Sequence, residues 1–193
     1  MIKNLYVSAI IPARGGSRRL PRKNIYPVWG KPMLYWSVNA CQKSKYIDDI
    51  FVTTEDEEIK KVALESGAKA INRPTELADD KTLKQRAICH AFKEISTKYK
   101  KPDIIVELQA NSPDVSPKDI DAAIEKLVDN NRWEILSMDK NLLQNGVFRI
   151  QKADVVCLDS LSAVAGAYIV EAANIHNLED VKELEDKSPP PSY

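Results

Sequence analysis

Apolar residues in this chain come in two kinds of run. Short, nearly continuous stretches read as buried strands, and longer stretches with apolar positions three and four apart read as amphipathic helices. Leu5–Ile11 is a strand of the first kind. Met33–Lys43 has Leu34, Val38 and Cys41 on one side, as a helix does. Asp49–Thr54 predicts a second strand. Glu55–Ser66 predicts a charged helix with Ile59, Val62 and Ala63 inward, stopped at Gly67. Lys69–Asn72 fits a short third strand, and Thr82–Lys98 a longer helix with Ala87, Ile88, Ala91, Phe92 and Ile95 inward. Asp103–Gln109 is a fourth strand. Ser116 caps and Pro117 opens a helix running to about Asn130, followed by a fifth strand at Glu134–Met138.

After Lys140 the rhythm changes. Gly146–Gln151 and Ala163–Val170 read as strands with no helix between them, and Leu178–Lys187 as a closing amphipathic helix. The tail from Ser188 to Tyr193 carries three consecutive prolines and is expected to fray. Strands alternating with helices predict an α/β fold of three α/β/α layers around a mostly parallel, Rossmann-like sheet. Residues 1–187 are expected to form a single domain, with 140–172 a compact strand-rich subregion and 188–193 a flexible tail. No interdomain linker or internal repeat is evident.

Composition narrows the choice of partners. The chain has 193 residues, and 28 Lys plus Arg balance 28 Asp plus Glu. Such a chain has no global field for nucleic acid or an anionic membrane surface, so any anion site is local. Leu5–Ile11 is too short to span a bilayer and lacks a basic leader. Cys41, Cys89 and Cys157 share no metal-like spacing. They read as buried structural thiols of a cytoplasmic protein. Trp29, Trp36 and Trp133 are scattered and give no stacking stripe for single strands. His90 lies within the helix from Thr82 and reads as structural. Glu55–Glu58, at a helix start, suit the macrodipole there.

The chemistry concentrates at Pro12–Asn24, "PARGGSRRLPRKN", at the carboxyl end of the first strand, where open α/β sheets bind ligands. Arg14, Arg18, Arg19, Arg22 and Lys23 place five cations within ten positions, a match for a polyphosphate. Gly15 and Gly16 remove Cβ atoms and permit backbone angles that turn N–H groups toward one anion. Ser17 adds a hydroxyl donor, and Pro21 stiffens the return. The loop is neither a Walker loop nor GxGxxG.

With those residues in view, "IIPARGGSRRLPRKNI" followed by "GKPMLYWSV" resembles the start of the acylneuraminate cytidylyltransferases. That family includes CMP-sialic, CMP-legionaminic and CMP-pseudaminic acid synthetases, with octulosonate cytidylyltransferases more distant. The resemblance continues through "DDIFVTTEDEEIKKVALESGAKAINRPTELADD" and weakly into "VELQANSPDVSPKDIDAAI", about two thirds of the chain. It implies transfer of CMP from CTP to an acidic, nonulosonic-type sugar, with release of pyrophosphate, for surface glycan biosynthesis. Arg14, Ser17, Arg18, Lys23 and Asn24, with Ala13, Gly15 and Gly16, would hold the nucleotide phosphates. Arg14 and Lys23 would stabilise the transition state. Arg73 would lie near the cytosine, with Ala78 to Thr82 beside it. Gln109 would contact the sugar acid or the nucleotide, and Asn111 the sugar acid. Mg²⁺ or Mn²⁺ would be the cofactor, and a homodimer the assembly.

Three departures from the family are visible. Where it commonly has Gln-Pro-Thr-Ser-Pro-Leu-Arg, this chain has Gln109 to Val115, losing the arginine and gaining Asp114. The counterpart of an Asp-x-Asp metal pair is Asn174 and His176. The stretch from Asp139 to Ala172 is compressed. Another acceptor such as a phosphonate, a sugar phosphate used with GTP or UTP, and a noncatalytic nucleotide-binding homologue therefore stay open as alternatives.

Overall fold

The computed structural model describes residues 2–190. Its first strand is β1 (Val7–Pro12). A loop and a two-rung hairpin follow, β2 (Pro27–Val28) and β3 (Lys31–Pro32). Then come α1 (Met33–Lys43), β4 (Ile47–Thr54), α2 (Glu57–Glu65) and β5 (Lys69–Asn72). The next elements are α3 (Lys84–Lys98), β6 (Ile104–Leu108), α4 (Pro117–Asp129) and β7 (Glu134–Met138). The chain closes with β8 (Gln144–Lys152), β9 (Ala165–Ile169) and α5 (Leu178–Glu185).

The seven long strands form one sheet in the order β5-β4-β1-β6-β8-β7-β9. β5, β4, β1 and β6 run parallel, and β9 runs parallel to β7. β8 alone is antiparallel, to both β6 and β7. The sheet is thus mostly parallel, as expected. Strand direction after Lys140 was not legible, because an alternating run does not state its partner's direction. The tight turn at Asp139 decides it: the Asp139 carboxylate accepts from the N–H groups of Asn141 and Leu143 and folds β8 back on β7.

Two apolar layers cover the sheet. Ile10, Phe51, Ile71 and Ile105 meet Ile88, Ala91 and Ile95 of α3 on one face. Val7, Ala9, Ile11 and Val52 meet α1, α2 and α4 on the other. α4 shows how the sequence dictates an element. The Ser116 hydroxyl accepts from the Lys118 N–H, Pro117 occupies the first turn, and Ile120, Ala123, Ile124 and Leu127 form one buried stripe.

A third cluster, of Leu20, Val28, Met33, Trp36, Ile175, Val181 and Leu184, lies outside the two main layers. It packs α5 against the loop after β1 and its hairpin. The hairpin escaped the hydrophobic pattern because its strands are two residues long. Trp29 and Gly30 make its turn with φ of 49° and 72°. Lys187, the residue before the expected tail, is anchored: its carbonyl accepts a hydrogen bond from the Trp29 indole at 3.0 Å. Ser188, Pro189 and Pro190 have no regular structure, and 191–193 lie outside the described residues.

The expectation of three unpaired thiols is overturned. Cys89 on α3 and Cys157 form a disulfide with a Cα separation of 4.9 Å. They lie 68 residues apart, and only the turn after β8 lays Cys157 over α3. Cys41 is a buried free thiol, and burial pushes its pKa up. No described helix is long and apolar enough to cross a membrane.

Candidate functional site

β1 lies where the chain changes direction across the sheet, with β4 on one side and β6 on the other. Open α/β sheets bind ligands at the carboxyl ends beside such a switch. A cavity of about 480 Å³ opens there. Its lining comes from the loop after β1 (Arg14, Gly16, Ser17, Arg18, Arg19, Lys23 and Asn24), from the segment between β5 and α3 (Arg73, Asp79, Asp80 and Thr82), from Lys84 at the start of α3, and from Gln109, Asn111 and His176.

Several loop residues are held in place by named contacts. Ala13 is buried and continues the sheet, its N–H donating to the Thr53 carbonyl at 3.1 Å. Arg14 reaches across the mouth. Nη1 donates to the Asp79 carbonyl at 3.0 Å and more distantly to that of Ala78 at 3.4 Å, and Nη2 pairs with Asp80 at 2.7 Å. Arg18 pairs with the other oxygen of Asp80. Asn24 donates to the Arg14 carbonyl at 2.9 Å and so sets the loop's shape. Lys23 donates to the Ile175 carbonyl at 3.2 Å. Burial holds its pKa below the ordinary lysine range, and Arg19 and Arg14 lower it further.

The glycines act differently from expectation. A Cβ on Gly15 would sit 2.5 Å from Asp56 Oδ2, so this position requires close approach. Its N–H faces Glu55 at 2.7 Å. A Cβ on Gly16 would meet nothing within 4 Å. Neither glycine adopts a positive φ; Arg22 does, at 56°. Arg22 also turns away from the cavity and clamps Asp56 and Glu58 at the start of α2. Four of the five loop cations therefore face the cavity.

Arg73 is 7% exposed. Its Nη2 donates to the Thr53 carbonyl at 2.6 Å, while its Nε is buried without a partner. Burial pushes its pKa down, Glu55 opposes this, and Arg14 adds to it. A buried donor on a cavity wall with no acceptor suits a ligand carbonyl.

Asn111 and Asn174 meet each other. Asn111 Nδ2 donates to Asn174 Oδ1 at 2.5 Å and to the Ile175 carbonyl at 3.1 Å. Asp114 accepts from the Ala173 N–H at 2.8 Å, so the acid that departs from the family pattern joins 109–114 to 173–176. Val115 is buried in the main core and offers nothing to the cavity.

These contacts test whether Asn174 and His176 suit a divalent cation. His176 Nδ1 lies 3.0 Å from Arg19 Nη2, and a guanidinium can only donate, so that lone pair is used. Burial lowers the His176 pKa, and Lys23 and Arg19 lower it further. Asn174 Oδ1 is occupied by Asn111. Two used acceptors in a cationic setting do not fit a hard cation. Among the described residues no group of three or more His, Cys, Asp or Glu side chains could hold one.

One feature escaped sequence reading. Glu107, 1% exposed on the central strand β6, pairs with Lys84 Nζ at 2.5 Å. A lone acid inside Ile104-Ile-Val-Glu-Leu108 was the available signal. His90 lies apart, beside a smaller cavity next to the disulfide, with a buried Nδ1 that has no partner.

Fold and cavity together define an α/β protein with a cation-lined cavity at the carboxyl edge of its sheet. A family model described as Cytidylyltransferase matches residues 8–186, and the chain belongs to that family. It is 38% identical over 130 residues to the pseudaminic acid cytidylyltransferase of Campylobacter jejuni, covering 67% of this chain and 55% of the relative. It is 35% identical over 136 residues to N-acylneuraminate cytidylyltransferase A of Danio rerio, covering 70% and 31%. The chain thus spans about half or less of the length of these relatives. Among solved structures, a CMP:2-keto-3-deoxy-manno-octonic acid synthetase complexed with CTP superposes with TM-score 0.79 at 15% identity, covering 94% of this chain and 97% of that one. A Mycobacterium tuberculosis protein in complex with manganese superposes with TM-score 0.68 at 11% identity, covering 96% and 100%. At such identities the structural likeness speaks for the fold.

Proposed function

We propose that this chain binds CTP and transfers CMP to a hydroxyl of an acidic sugar, releasing pyrophosphate. The observation that carries this is the cradle of Arg14, Arg18, Arg19 and Lys23 facing Gln109 across one cavity. The names of the relatives and of the CTP-bound neighbour point to the same nucleotide and the same kind of acceptor.

In the reaction the acceptor oxygen bonds to the α-phosphorus and the bond to the bridging β-phosphate oxygen breaks. The hydroxyl proton passes to solvent, and pyrophosphate carries the charge away. Such transfers need positioning and charge stabilisation more than covalent help. Lys23 is well placed for the second task, because its desolvated ammonium is fixed by a carbonyl. Arg14 is now neutralised by Asp80, which it shares with Arg18. A triphosphate would take over both arginines and release that carboxylate. Arg73 would offer its unpartnered Nε to the base. A divalent ion entering with the nucleotide would be held by phosphate and water oxygens rather than by Asn174 or His176.

The test measures CTP affinity by calorimetry and pyrophosphate release with CTP, Mg²⁺ and a panel of acidic sugars. Arg14→Ala and Lys23→Ala should each weaken CTP binding by about tenfold or more. Unchanged affinity in both variants, or a clear preference of the wild type for GTP or UTP, would overturn the proposal. The setting of Asn174 and His176 favours one second reading, a noncatalytic nucleotide binder, which CTP binding without turnover would support.

A further inference from the structure

We infer that Lys84 reads the carboxylate of the acceptor, with Glu107 as its positioning residue; this rests on the cytidylyl-transfer reading of the cavity. Lys84 is the first residue of α3 and lines the cavity. Its side chain is 43% exposed, whereas that of Glu107 is 2% exposed.

A carboxylate buried on a central strand is costly unless it is paired, and an apolar residue would fill the space without that cost. Glu107 stands in the row between Ile10 on β1 and Arg149 on β8, and one of its oxygens has no partner. An apolar residue there would serve the fold at least as well. Its consequence is to fix the Lys84 ammonium at 2.5 Å. An ammonium has three N–H donors, and this pair uses one. The others are available toward the cavity that Lys84 lines.

The placement selects the ligand. Side chains two apart on a strand project to the same side, so Glu107 and Gln109 share a face of β6. The Gln109 N–H donates to the Val147 carbonyl at 3.0 Å and extends the pairing past the strand's end. Lys84 therefore serves the β6 side of the cavity, whereas Arg14, Arg18, Arg19 and Lys23 all belong to the loop after β1. Those four are the match for the triphosphate. The carboxylate of an acidic sugar needs its own cation, and Val115, buried in the core, offers none. Lys84 is the cavity cation on the acceptor's side.

The experiment uses the full chain with CTP and three acceptors, N-acetylneuraminate, pseudaminic acid and 3-deoxy-manno-octulosonate, each as the free acid and as its methyl ester. The wild type should prefer the acid. Lys84→Gln should raise the acceptor KM by about tenfold or more and bring acid and ester within about threefold of each other. Its Kd for CTP should stay within about twofold of wild type, and Lys84→Arg should recover part of the preference for the acid. Glu107→Gln should shift the acid-to-ester ratio in the same direction and leave CTP binding unchanged, which a merely structural role would not produce. Equal losses toward acid and ester, a CTP Kd that moves as far as the acceptor KM, or no effect of Lys84→Gln in an enzyme that turns over would overturn this inference alone. A wild type that releases no pyrophosphate with any of the three acids removes the cytidylyl-transfer reading, and this inference with it.

Discussion

Arg22 and Asp56 lock the outer wall of the loop after β1 to the start of α2. The guanidinium beside it holds the Asp56 carboxyl down to about 2, against an ordinary value of about 4. As pH falls the unfolded chain takes up that proton first. The stabilisation is therefore complete above pH about 4 and is lost on the way to pH about 2. Asp56 also caps α2 by accepting from the N–H groups of Glu58 and Ile59, a task that Asn performs nearly as well. Asp56→Asn should thus keep the cap, lower Tm at neutral pH and flatten the fall of Tm between pH 4 and 2. Melting curves across that range check this. The five loop cations were legible in the sequence because charge density is local. The targets of Arg22 and Lys84 were not, since Asp56 and Glu107 arrive from other strands. Asn174 carried a family expectation, and only its contact with Asn111 shows what it does here.

α4 is the element whose sequence and structure agree most closely. Its cap, its opening proline and its buried stripe all lie within fourteen consecutive residues. Ser116→Ala should cost about 1 kcal/mol through the lost cap. Leu127→Ala, which removes a fully buried side chain facing the sheet, should cost about 2–5 kcal/mol. Urea unfolding of both variants gives the two values and their ratio. Most helices and strands were legible for the same reason, a hydrophobic period written along contiguous residues. Boundaries slipped where a side chain outside the period decides them, as when Asp56 starts α2 two residues after the acidic run begins. The hairpin of Pro27–Pro32 and the reversed β8 were invisible to period alone. The first is too short to have one, and the second depends on the turn at Asp139.

In the molecule as a whole, the disulfide joins α3 to the segment beyond β8. Closing a loop of 68 residues limits the unfolded chain by about 4 kcal/mol in the chain-entropy account. Cys157→Ser, or treatment with dithiothreitol, should lower the unfolding free energy by about 2–4 kcal/mol. Denaturant titration with and without reductant checks this. The denatured, unreduced protein should contain one titratable thiol, Cys41, which is shielded while the chain is folded. No spacing rule could announce this pair, because it is made by topology.

The third apolar cluster couples the cationic loop and its hairpin to the last described helix. Leu20 and Val28, from the cationic loop and its hairpin, share that cluster with Val181 and Leu184 of the last helix, while the Ile175 carbonyl receives Lys23 and the His176 ring receives Arg19. The loop therefore takes its shape only with α5 and the segment from Ile175 seated against it. Anything that dislodged α5 would undo the arrangement of those arginines without touching one of them.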